Sequence, residues 1–226
     1  CIAFDFRGQG ESEITESGYD VDSLTEDTAA VIETLGAAPC HFVGLSMGGF
    51  VGLRLALRRS SLLRSLVLVD SSADVETFWD RLRYGAMIAV ARRFGLRPVI
   101  GPLLRVMFSE RLLRNRELRT LWRDRVLAID RVAAIRAVEG VLSRASVYDD
   151  LGTITTPTLI VVGQEDRTTP PARARRMHDA IPGSRLVVLP EVGHMASIEA
   201  PEALTEAIRE FVRGATAIEP KRERDA

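Results

Sequence analysis

The sequence is sparing with several residue types, and each shortage excludes something. It has two cysteines, Cys1 at the terminus and Cys40 opening an apolar run, so a disulfide framework is excluded and a reducing compartment is allowed. It has a single lysine, Lys221, and 30 basic residues stand against 31 acidic ones, so a net charge of −1 gives no overall drive toward nucleic acid or a membrane surface. No apolar run is long enough for stable membrane insertion and no leader pattern is visible, which sets the expectation of a cytoplasmic protein. The chain starts at Cys1 directly in a strand-like run, and the expectation is that an N-terminal portion precedes it, carrying any targeting signal. The glycine-rich stretch Arg7-Gly8-Gln9-Gly10-Glu11-Ser12 lacks the G-K-[ST] of a phosphate-cradling loop. No cysteine–histidine cluster suggests a metal, so neither metal nor cofactor is expected.

What is present is a 226-residue chain, 46% hydrophobic, enough for one domain with an insertion. Strand-type runs occur at Cys1–Phe6, Cys40–Leu45, Leu66–Val69, Thr158–Val162 and Leu186–Leu189. The later ones carry no polar alternation, and helical patterns separate them, which predicts a mostly parallel sheet covered on both faces. A capping box at Ser23-Leu24-Thr25-Glu26 predicts a helix start there and Gly36 its stop. Further helices are expected after Ser46, at about Pro171–Ile181 and at about Pro201–Val212. Residues 71–150 hold no good strand run; four helical segments, about Val75–Phe94, Pro98–Phe108, Leu112–Ala128 and Ile129–Ser143, form a helical cap inserted into a core of residues 1–70 and 151–214, and residues 215–226 read as a flexible tail. Between Arg81 and Arg144 fifteen arginines face five acids, so this segment carries about +10 and the rest about −11. Those arginines interleave with apolar residues and read as solvated outer faces over an inner stripe, with an anion-attracting or membrane-facing surface as the alternative.

The stretch that carries chemistry is His41-Phe42-Val43-Gly44-Leu45-Ser46-Met47-Gly48-Gly49-Phe50. A strand-type run meets G-x-S-x-G and a helical pattern follows, the context in which a serine sits on a sharp strand-to-helix turn with its hydroxyl presented above the sheet. Gly44 and Gly48 are expected where the backbone passes close. The Met47 N–H, at the start of the helix, points where an oxyanion would form. A nucleophilic serine needs a base and the base an orienting acid. Of three histidines, His41 begins the strand before the serine, at the end away from the turn; His178 lies in a charged helix; His194 follows the last strand. Loops at the carboxyl ends of parallel strands share one edge, so Ser46 and His194 fall on the same side. The acid belongs on a third such loop, Gly163–Pro170, where Asp166 is the candidate, Glu165 its neighbour alternative and Asp70, ending another strand, the reserve.

With these residues in place the sequence resembles the α/β-hydrolase superfamily along nearly its whole length. The resemblance rests on Asp5–Ser12 as D-x-R-G-x-G-x-S, on Gly44–Gly49 as the elbow, on Pro157–Gly163 with Asp166 and Pro170 as the acid loop, and on Gly193-His194. The S-M-G-G elbow and short cap look most like small esterases, enol-lactone hydrolases and cofactor-free haloperoxidase-type members; Ser46 argues against branches that place an aspartate there. The resemblance implies a Ser46–His194–Asp166 triad that cleaves an ester or lactone of a small, largely apolar substrate. Trp79, Phe108 and Trp122 would either shape its pocket or pack between cap helices. It also implies three strands before Asp5, one of them lying between the strands at Ile2 and Phe42, and a His-Gly loop giving a second oxyanion N–H. Nothing in the sequence corresponds to these. The expectation is therefore a fragment of a longer hydrolase, with a gapped sheet, reduced activity and a tendency to self-associate. A small-molecule binding protein on the same fold, or an inactive fragment, is the alternative reading.

Overall fold

Strands without polar alternation need cover on both sides, and the fold supplies it. A computed structural model describes residues 1–216. In chain order the elements are α1 (Val21–Thr34), β1 (Cys40–Leu45), α2 (Met47–Arg58), β2 (Leu63–Val69), α3 (Phe78–Phe94), α4 (Ile100–Met107), α5 (Glu110–Arg114), α6 (Arg116–Ala128), α7 (Arg131–Ser143), β3 (Thr158–Gly163), α8 (Pro171–Ala180), β4 (Arg185–Leu189), α9 (Ala196–Glu199) and α10 (Pro201–Thr216). The strands make one sheet in the order β1-β2-β3-β4, every pair parallel. Side chains alternate between its faces. Leu66, Leu68, Ile160 and Val162 pack with Leu24 of α1, Phe50 and Leu53 of α2, and Met177 of α8. Val67, Val69, Leu159 and Val161 turn the other way, onto Leu204 and Phe211 of α10.

The ladders run past the strand ends, and this aligns the loops that follow. The Ser46 N–H donates to the Val69 carbonyl (2.8 Å), the Asp70 N–H to Val161 (2.9 Å) and the Gln164 N–H to Leu189 (2.8 Å). The residues leaving β1, β2 and β3 are thus stepped along one edge of the sheet.

Four local expectations are corrected. Residues 1–6 form no strand. A strand needs a neighbour to take its N–H and C=O groups. Here the Phe6 carbonyl accepts from the Gln9 N–H and the Asp5 carbonyl from the Ser12 hydroxyl, so the segment closes on its own turn. The expected pair of strands flanking a gap reduces to β1 at one end of the sheet, with Val43 46% exposed. Helix α1 starts three residues earlier than the capping box suggests, because Asp20 is the N-cap and accepts from the Ser23 N–H (2.8 Å) and hydroxyl (2.7 Å). The segment expected as one helix over Leu112–Ala128 breaks at Asn115, whose side chain caps α6 through the N–H groups of Glu117 and Leu118. Helix α10 continues to Thr216, into the stretch read as a tail, and residues 217–226 lie outside the described residues.

Between β2 and β3 the described chain is helical without a strand. Its two stems are tied to each other. The Val147 N–H and Ser146 hydroxyl both reach the Ala73 carbonyl, and Arg144 pairs with Glu76 at 2.5 Å. Arg54 of α2 adds a bond to the Ala145 carbonyl (2.9 Å).

Candidate active site

At the end of β1 the chain must turn at once into α2, and Ser46 takes that turn at φ 49°, ψ −109°. A non-glycine residue there carries strain of about 1–3 kcal/mol that its surroundings must over-determine. They do. The Ser46 carbonyl accepts from the N–H groups of Gly49 (2.9 Å) and Phe50 (3.2 Å) and from the Ser71 hydroxyl (3.0 Å). The crowding falls partly where expected. A Cβ on Gly44 would collide with the Gly48 carbonyl, whereas Gly48 itself faces open space and the second tight position is Gly49, against the Ser71 hydroxyl. The collision at position 44 is backbone against backbone and cannot be relieved by a rotamer. Gly44→Ala is therefore expected to cost about 1–3 kcal/mol, measured as a fall in Tm of about 2–4 °C for each kcal/mol.

Three loops bring their side chains to this turn. His194 Nε2 lies 2.9 Å from Ser46 Oγ, and His194 Nδ1 lies 2.9 Å from Asp166 Oδ2. The Asp166 carboxylate is otherwise filled by local donors: the N–H groups of Thr168 (2.7 Å) and Thr169 (2.9 Å) on Oδ1, and the Thr169 hydroxyl (2.8 Å) on Oδ2. The His194 backbone N–H is held by the Met107 carbonyl at the end of α4 (3.0 Å). Asp166 and His194 are buried, while Ser46 is half-exposed.

The electrostatics agree with the geometry. Burial opposes the charge on Asp166, but the hydrogen bond and charge of His194 and the donors of Thr169 outweigh it and hold the carboxyl below its usual range. Burial likewise opposes the imidazolium form of His194. The hydrogen bond and charge of Asp166, then the charges of Asp70 and Glu199, prevail and raise the ring above its ordinary value. A hydroxyl bonded to such a ring can pass its proton to it, and the new charge then faces a carboxylate.

The other candidates lie elsewhere. His41 Nδ1 pairs with the Ser65 hydroxyl at the far end of β1, and His178 Nδ1 with that of Ser184. Glu165 turns outward and accepts from the Glu110 N–H. Asp70 gives both oxygens to backbone N–H groups rather than to the ring. Met47 opens α2 directly after Ser46. Phe108 is buried and its ring centroid lies 5.7 Å from that of Trp122, in a cluster with Leu104, Leu112, Met195 and Ile198. Trp79 is 73% exposed on α3, against Phe78. Among the described residues no group of three or more His, Cys, Asp or Glu could hold a metal ion, and no helix is long and apolar enough to cross a membrane.

Sequence reasoning missed the supports. Thr169 sits three residues after Asp166, a spacing at which a local carboxylate-to-N–H turn could have been read. Glu199 accepts from the Gly193 N–H (3.0 Å), the Ser109 N–H (3.1 Å) and the Ser109 hydroxyl, tying the loop of His194 to the segment between α4 and α5. No local signal announces a contact spanning 90 residues.

Comparisons with known proteins agree with this architecture. A family model for the alpha/beta hydrolase fold matches residues 1–201. The chain is 32% identical over 225 residues to a provisionally named non-heme bromoperoxidase of Mycobacterium tuberculosis, covering 93% of this chain and 82% of that one. Among solved structures it superposes on a thermophilic esterase from Thermogutta terrifontis with a TM-score of 0.85 at 30% identity, covering 93% of this chain and 78% of the esterase. It superposes on an enol-lactonase from Burkholderia xenovorans with a TM-score of 0.83 at 27% identity, covering 92% and 78%. The esterase and the enol-lactonase support hydrolase activity, and the match over residues 1–201, on a parallel sheet with a strained serine turn, shows that the chain belongs to the alpha/beta hydrolase fold family.

Proposed function

We propose that the chain is a serine hydrolase that cleaves a carboxylic ester or lactone of a small, largely apolar substrate. The observation that carries this reading is the unbroken hydrogen-bonded chain from Ser46 Oγ through His194 to Asp166. Esterase and enol-lactonase relatives point to the same bond type. Ser46 attacks the carbonyl while His194 Nε2 takes the hydroxyl proton. Asp166 holds the tautomer with the proton on Nδ1 and offsets the imidazolium charge. The Met47 N–H, at the N-terminus of α2, donates to the oxyanion. His194 then protonates the leaving alkoxide, and a water activated by the same ring releases the acid and restores Ser46. No metal or cofactor takes part. The helical segment over 71–150 serves as the cap.

The test needs no knowledge of the natural substrate. A fluorophosphonate probe is expected to form an adduct on the Ser46 peptide, located by mass spectrometry, and the adduct is expected to vanish in His194→Ala. A cooperatively folded chain that stays unlabelled rejects the reading.

The pH dependence has a definite sign. His194 is the base only when neutral, and its folded pKa lies above the ordinary 6.5. The rising limb of kcat/KM on a p-nitrophenyl ester is therefore expected above pH 6.5, with activity lost as pH falls through it. A limb midpoint at or below that value would show that the carboxylates do not act on the ring as the geometry implies.

A further inference from the structure

The proposed reaction uses one buried carboxylate, yet a second lies beside it. Asp70 directly follows β2, with no exposed surface and a φ of 46°. Its Oδ1 accepts from the Gly163 N–H at 2.8 Å, and its Oδ2 from the Ala196 N–H at 3.0 Å. Gly163 ends β3, three residues before Asp166. Ala196 opens α9, two residues after His194. One side chain therefore takes one hydrogen bond from each of the two segments that carry the acid and the base. The segments also touch directly there, since a Cβ on Gly163 would collide with the carbonyls of Val192 and Gly193.

Resting on the serine-hydrolase reading, we propose that Asp70 is a positioning residue that holds the acid and base loops in register and, through its charge, sets the basicity of His194. The two donors explain why this position needs a carboxylate. An asparagine offers one acceptor oxygen and would turn its amide against the second N–H, and a serine reaches with a single oxygen. The arrangement is held at a cost. Burial, and then the charge of Asp166, push the Asp70 carboxyl up to about 7, against the Gly163 and Ala196 N–H groups and the charge of His194. The ionisable groups acting on Asp70 are Asp166 and His194, and those acting on His194 are Asp166, Asp70 and Glu199. Where the Asp70 carboxyl is ionised it adds its charge to those of Asp166 and Glu199 on the ring, so Asp70→Asn lowers the ring's basicity.

The experiment compares wild type and Asp70→Asn in two readouts: the pH dependence of fluorophosphonate inactivation, and kcat and KM on a p-nitrophenyl ester. In the variant the rising limb is expected to move to lower pH, with kcat down roughly 10–100-fold from the loosened loops and KM unchanged, because Asp70 does not face the substrate. A limb that stays in place while activity falls at every pH assigns Asp70 a merely structural role and overturns the proposal. A wild type that is never labelled at Ser46 rejects the serine-hydrolase reading itself, which separates the two failures. A measurement on the unmodified chain covers the case in which Asp70→Asn does not fold. The Gly163 and Ala196 amide protons, followed by NMR hydrogen exchange, are expected to be protected and to open together with one common opening free energy, because one side chain holds both. Separate opening of the two, or no protection, overturns the proposal.

Discussion

Ser46→Ala is expected to lower kcat for ester hydrolysis by about 10⁶-fold and to leave the fold standing. The hydroxyl is the group hydrogen-bonded to His194 Nε2, and without it no acyl-enzyme can form. What survives is slow attack by water beside an intact base and the Met47 N–H. The structural cost is small because the side chain is half-exposed and the backbone bonds of residue 46 do not involve it. Alanine keeps a Cβ at φ 49°, so the strain of the turn persists. This separates chemistry from architecture. The variant should melt within about 1 kcal/mol of the parent, as read by circular dichroism, while fluorophosphonate labelling disappears. Hydrolysis by Ser46→Ala at the parent rate would end the serine mechanism.

The parts of this site that were legible in the sequence are those set by local chemistry. The elbow needs a strand, a serine flanked by small residues and a helix within about ten residues, and all of these stand together from His41 to Phe50. The parallel sheet was legible because the runs Leu66–Val69 in β2 and Leu159–Val162 in β3 are apolar throughout, and Asp166 and His194 because each follows such a run. What failed depends on partners remote in the chain. Residues 1–6 have a strand's composition but pair with no strand among the described residues. Gly48 satisfies the motif, yet the close approach is made by Gly49, and only the position of Ser71 reveals it. Asp70 looks like a spare triad acid from its place at a strand end. Its actual partners, Gly163 and Ala196, lie 93 and 126 residues away. The aromatic residues of the helical segment divide the same way. Phe108 and Trp122 meet through the packing of α4 and α6, while Trp79 stands exposed, and no feature of composition distinguishes them.

The largest effect on stability is expected not at Ser46, His194 or Asp166 but at Arg144. Its guanidinium lies 2.5 Å from Glu76, with side-chain exposures of 1% and 7%. It also donates to the carbonyls of Asp74 (2.6 Å) and Val141 (2.8 Å) and sits 3.9 Å from the centre of the Phe50 ring. One side chain thus joins the entering stem of the helical segment, its leaving stem and α2. Arg144→Met keeps much of the packing but strands the Glu76 carboxylate and the Asp74 carbonyl, while the Val141 carbonyl keeps the backbone N–H of residue 144. Breaking a buried pair from one side costs about 3–5 kcal/mol, which for a chain of this size lowers Tm by on the order of 10 °C. The penalty belongs mainly to the orphaned carboxylate and not to the lost attraction, and a double-mutant cycle can separate them. Arg144→Met with Glu76→Leu removes both charges and should recover a large part of the loss. If the single variant melts with the parent, the pair does not hold the stems. If the double variant is no more stable than the single one, the loss lies in the bonds to Asp74 and Val141, and the stems are joined through the backbone instead of through the ion pair.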